Sequence, residues 1–116
     1  MTDGLSRALL VLALAVSSLP ACQSTIYEWG PYEESVLNSL LDYREEDLLS
    51  ELARLDEYES QLRLEDRQPP PGLHAHLGYL NFLTGNGEAT LRHFEAEKSW
   101  YPESRVFIDG MLERIR

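Results

Sequence analysis

Basic residues and cysteine are both scarce in this 116-residue chain, and each shortage removes a class of function. Ten Lys and Arg stand against twenty Asp and Glu, a formal charge of −10, and no stretch gathers the cations into a stripe. A nucleic-acid ligand, which needs clustered Lys and Arg on one face, is therefore not expected. The single cysteine, Cys22, excludes an internal disulfide and every multi-cysteine metal site. Long apolar runs are missing as well. Ala8 to Val16 is uninterrupted apolar chain, but a helix needs about twenty such residues to cross a bilayer. No Gly-x-Ser-x-Gly elbow accompanies the serines, and no run keeps a strand period beyond a few residues. The rest is an ordinary globular composition, 43% hydrophobic and 26% charged, sized for one domain with a modest core.

Arg7 followed by Ala8–Val16 has the length of a signal-peptide core, a segment to be set aside from fold reasoning. Leu19-Pro20-Ala21-Cys22 then resembles the bacterial lipobox, with Leu three residues before the cysteine and a small residue directly before it. Pro20 departs from the small residue usual at its position. That resemblance implies an acylated Cys22, an anchor of two or more chains that holds where one is marginal. Gln23 is not the Asp of an inner-membrane retention signal, so the expected address is the periplasmic face of the outer membrane. The expected organisation is a lipoprotein signal peptide over 1–21, a lipidated N-terminus and short tether over 22–26, and a helical domain over 27–116. Four residues separate Cys22 from Tyr27, a reach of about 15 Å at most.

Within the domain the apolar spacing is helical. Val36, Leu37, Leu40 and Leu41 mark a first helix over Glu33 to Tyr43, with Pro31 suited to its first turn. Glu45-Glu46-Asp47 opens a second, long helix whose stripe is Leu48, Leu52, Leu55, Tyr58 and Leu62, fading near Asp66. Gln68-Pro69-Pro70-Pro71-Gly72 breaks the chain. Leu73, Leu77, Leu80 and Leu83 predict a third helix, with Gly85 suited to the left-handed position after it. Ala89, Leu91, Phe94, Ala96 and Trp100 predict a fourth, ended by Pro102. Ser104 is placed to cap a last helix that carries Val106, Ile108, Met111, Leu112 and Ile115. The expected fold class is all-α, about five helices in antiparallel hairpins.

Over residues 71–104, Leu77-Gly78, Phe94 and Pro102 fall at the Leu-Gly, Phe and Pro spacings of the 34-residue tetratricopeptide repeat. These four are the candidate structural residues: glycine on one helix lets the next approach, and Phe fills the space between. His74, Asn81 and Thr90 depart from that pattern, and no second copy occurs 34 residues away. The array is thus tetratricopeptide-like, closed by its flanking helices. The chain also resembles a family of small bacterial lipoproteins, domain of unknown function 4810. The likeness rests on Tyr27-Glu28-Trp29-Gly30-Pro31-Tyr32, Pro70-Pro71-Gly72-Leu73-His74-Ala75-His76-Leu77-Gly78-Tyr79-Leu80, Phe94-Glu95-Ala96-Glu97-Lys98 and Tyr101-Pro102-Glu103-Ser104. It implies an outer-membrane lipoprotein working with an envelope-assembly partner, such as a lipoprotein similar to the curli secretion channel. The family supplies no catalytic residues.

Candidate chemistry is thin. His74-x-His76 and His93-x-Glu95 are the only metal-like groups, and residues two apart on a helix point about 200° from one another, so no metal or other cofactor is expected. The charge is more informative. Glu28 to Asp66 holds thirteen acids and three arginines, whereas Arg67 to Arg116 holds six of each sign. The acidic first hairpin is either a solvated face or a docking face for a basic partner, with Glu51, Glu59 and Glu65 as candidate contacts. Tyr27, Trp29 and Tyr32 are either a staple closing the domain or an exposed patch for lipid headgroups or a partner. The expected function is that of a non-enzymatic, lipid-anchored adaptor with a protein partner, no nucleic acid and no small-molecule substrate. The alternative is a small periplasmic enzyme or metal-dependent hydrolase.

Overall fold

The computed structural model describes residues 3–5, 7, 26–39 and 44–116. The Leu19–Cys22 motif and the expected end of the first helix, Leu40 to Tyr43, lie outside the described residues. Residues 3–5 and 7 are helical, and among the described residues from Tyr32 onward five α-helices follow one another: α1 (Tyr32–Ser39), α2 (Glu45–Leu64), α3 (Leu73–Leu83), α4 (Gly87–Trp100) and α5 (Arg105–Arg114). A short 3-10 turn, Pro102–Ser104, leads into α5. There is no strand among the described residues, so the fold is all-α. No described helix is long and apolar enough to cross a membrane.

The helix ends follow local chemistry. After α2, Asp66 adopts a left-handed φ of 53°, and Arg67 N donates to the Leu62 carbonyl at 2.8 Å. After α3, Gly85 does the same at φ 79°, while its N–H reaches the Phe82 carbonyl and that of Asn86 reaches Asn81. Both are Schellman closures that satisfy orphan carbonyls. The Asn86 side chain then accepts from Ala89 N and caps α4. Ser104 corrects an expectation. Its φ and ψ of −74° and −10° are already helical, and its side chain makes no capping bond to α5. The 3-10 turn runs directly into the helix, so the backbone has no extended residue from which a serine could cap.

The core forms where α2 meets α3. Leu48, Leu55, Tyr58 and Leu62 pack with Leu73, Leu77 and Leu80, and Tyr32 and Leu52 lie against the cluster. The α3–α4 hairpin is the most intimate contact. A β-carbon at Gly78 would overlap the Phe94 ring, which is itself fully buried. Such burial stabilises a Phe side chain by roughly 1.5–3 kcal/mol. Ile108 is the buried residue of α5, while Val106 and Phe107 on that helix are exposed.

Candidate functional site

Three segments of sequence close on one another at the α1–α3–α4 junction. Gly72 stands at the N-cap of α3 with φ 91°, a conformation that favours glycine. A β-carbon there would collide with the Tyr32 hydroxyl. Gly30 has φ 50°, and its β-carbon would lie 2.6 Å from the Tyr58 ring. Each glycine therefore makes room for a tyrosine of another element. The Tyr58 hydroxyl donates to the Glu28 carbonyl. Tyr101 donates to the Pro69 carbonyl and accepts from Gln68 Nε2 at 3.2 Å.

The aromatic residues of the first motif lie over this seam. Trp29 stacks on Tyr32 with centroids 6.1 Å apart, and Tyr27 meets both Trp29, at 5.9 Å, and Tyr101, at 6.4 Å. All three are half-buried. They act as a closing seam on the domain, with their outer edges still open.

Beneath the seam lies a carboxylate that sequence reasoning did not single out. Glu97 is 3% exposed, yet its two oxygens accept from Gly72 N at 2.7 Å and Ala75 N at 3.2 Å. It thus serves the open N-terminus of α3 from a different helix, where orphan N–H groups and the helix dipole favour an anion. Burial raises its pKa, and the backbone N–H groups oppose that rise. The Tyr32 hydroxyl is pushed up to about 12, by burial first and by the Glu97 charge second. A signal for Glu97 was present: it lies three and four residues after Phe94 and His93, on the inward face of α4.

The histidines divide between two contacts. His76 Nε2 and Ser35 Oγ lie 2.9 Å apart, joining α3 to α1. His74 Nδ1 meets His93 Nδ1 at 3.0 Å, with the rings stacked at 5.3 Å, joining α3 to α4. Of these two nitrogens one must donate and the other accept, which fixes opposite tautomers in the pair. Burial lowers both pKa values to about 4; Arg63 adds to the effect at His74, and His74 and Arg92 add to it at His93. The pair borders a polar cleft of about 430 Å³ lined also by Asp56, Glu59, Ser60, Arg63 and Arg92. No three His, Cys, Asp or Glu side chains among the described residues converge to hold a metal ion.

The acidic candidates separate. Glu51 is 9% exposed, and both its oxygens meet Arg54 Nη2, at 2.9 and 3.2 Å. Arg54 also reaches Glu34 at 2.9 Å, so this triad ties α1 to α2. Glu51 is therefore not a solvent-facing contact. It lies three residues after Leu48 and four before Leu55, inside the apolar stripe of α2. Glu59 is mostly covered and faces the histidine cleft near Arg63. Glu65 alone of the three is largely exposed, beside Arg67. Leu77, Gly78 and Phe94 meet in the core, and Pro102 opens the turn that ends α4.

No curated protein and no solved structure matches this chain. The family model described as Domain of unknown function (DUF4810) matches residues 26–111, most of the chain, and the chain belongs to that family.

Proposed function

We propose that this family member is a non-enzymatic, lipid-anchored outer-membrane protein, a tetratricopeptide-like adaptor subunit of an envelope assembly. One observation carries the reading. The sole cysteine ends Leu19-Pro20-Ala21-Cys22, a lipobox-like sequence, and the matched domain begins four residues later, at Ile26. Such an arrangement suits a short tether and a domain held at a membrane surface.

The packing supports an interaction module over an enzyme. The residues richest in potential chemistry are engaged in holding helices together: His76 with Ser35, His74 with His93, and Glu97 with the α3 N-terminus. The Gly78–Phe94 approach is the contact that a tetratricopeptide-like hairpin needs. Phe82, Leu91, Leu112 and Ile115 line an open, mainly apolar groove of about 440 Å³. A groove of that kind suits a protein segment. The partner class expected from the family resemblance is an envelope-assembly lipoprotein. Fatty-acid labelling of wild type and Cys22→Ala tests the anchor: label should enter only the wild type. Equal release of both into the soluble periplasm would overturn it.

A further inference from the structure

At the end of the domain nearest the tether, apolar side chains are left in water. Ile26 is 90% exposed and Trp100 is 49% exposed. Two contacts bring them to one surface. The Tyr27 ring meets that of Tyr101, the residue after Trp100. Arg67, which pairs with Glu28, lines a shallow hollow together with Pro69 and Trp100. Ile26, Tyr27 and Trp100 therefore share one end of the domain, with Trp29 beside Tyr27.

We propose that this end, formed by Ile26, Tyr27 and Trp100, lies within the zwitterionic headgroup layer of a phospholipid bilayer. The inference rests on the anchored reading of Cys22 and adds which face of the domain meets lipid. The geometry of the tether carries it. Residues 23–26 span about 15 Å at full extension. Each headgroup layer is roughly 5–8 Å deep, and acyl chains on Cys22 begin at its inner boundary. Less than about 10 Å of free chain remains beyond that layer, so the N-terminal end of the domain is held within that distance of the headgroups and is placed to settle among them. Trp, Tyr and Ile suit that depth, where an apolar ring is covered while its polar atom stays wet.

Charge selects the lipid. Arg67 is engaged by Glu28 and Glu65, and Glu59 and Asp66 border the same hollow beside Arg63. These six groups sum to a net negative patch, which anionic lipids would repel and the ammonium of a choline or ethanolamine headgroup would not.

Trp29 and Trp100 are the only tryptophans, so each can be read alone. The processed chain carrying Trp29→Phe is reconstituted into phosphatidylcholine vesicles with brominated or ordinary acyl chains, and the N-terminal mass is measured on the same sample. With Cys22 acylated, the expected result is a clear loss of Trp100 emission in brominated vesicles. Adding phosphatidylglycerol should reduce that loss. Equal Trp100 emission in both vesicle types, with acylation verified by mass, overturns the proposal. If the mass shows a free thiol, the anchored reading fails by itself. A maleimide lipid coupled to Cys22 then decides the surface assignment by the same quenching. Circular dichroism and a thermal melt of the Trp29→Phe chain, compared with wild type, check that the folded domain survives the substitution.

Discussion

Gly78 carries a hydrogen where any other residue would place a carbon inside the Phe94 ring. Gly78→Ala must displace that ring, and overpacking of this kind costs about 1–3 kcal/mol. Phe94→Ala leaves the complementary void and should cost about 3–5 kcal/mol. Urea unfolding followed by circular dichroism measures both; a midpoint unchanged in both variants would mean that the hairpin is not packed through this pair. The spacing of Leu77-Gly78 and Phe94 made the contact legible in the sequence, because helical periodicity places all three on inward faces. Gly72 and Gly30 were visible only as members of motifs. Their tyrosine partners, Tyr32 and Tyr58, lie 40 and 28 residues away, a separation that no local pattern encodes.

Between elements, the junctions use buried polar groups as well as leucines. Glu97 binds α4 to the start of α3, and Glu97→Ala would leave the Gly72 and Ala75 N–H groups without their acceptor. The expected loss is about 2–4 kcal/mol, readable by the same unfolding titration. An effect below about 0.5 kcal/mol would mean that water replaces the carboxylate. The His74–His93 pair makes stability depend on pH. Both groups titrate near 6.5 when unfolded and near 4 when folded, so the unfolded chain binds more protons between those values. Their contribution is fully present above pH 6.5 and is lost as pH falls toward 4, a change on the order of a few kcal/mol. Glu97, with a raised pKa, acts with the opposite sign in the carboxylate range. Thermal melts from pH 7 to 4 should fall steeply for wild type and more gently for a His74→Phe/His93→Leu variant. Parallel curves would contradict the assignment. Helix positions were legible because apolar periodicity, the proline break and the glycine stop are local signals. The polar junctions were not, since a His or Glu on a helix gives no sign of the helix it will meet.

For the molecule as a whole, the charge asymmetry is the main lead to a partner surface. Thirteen of the acids lie between Glu28 and Asp66, but the structure withdraws some of them into ion pairs with Arg54 and Arg67. The acids still facing water include Glu46, Glu57 and Glu65, the last in a long, exposed contact with Arg67. Reversing these three to Lys should leave the melting temperature almost unchanged and weaken co-purification of the proposed envelope partner, most clearly at low salt. Glu95→Lys with Glu103→Lys on the other half serves as the control. Should the control abolish recovery while the triple reversal leaves it intact, docking belongs to the α3–α5 half. The sequence exposed the asymmetry but not the covered position of Glu51, because charge counts ignore which side of a helix a residue occupies.

The seam at Glu28 also determines how the domain would bear a mechanical load. Glu28 lies between Tyr27 and Trp29, its carbonyl held by Tyr58 and its side chain by Arg67. Tension entering from the N-terminal side therefore reaches the end of α2 directly, and through Tyr27 and Tyr101 it reaches the end of α4. These attachments resist together before α1 can be peeled away one turn at a time. A pull on the chain ahead of Tyr27 thus arrives at the core as a distributed shear rather than as an unzipping force.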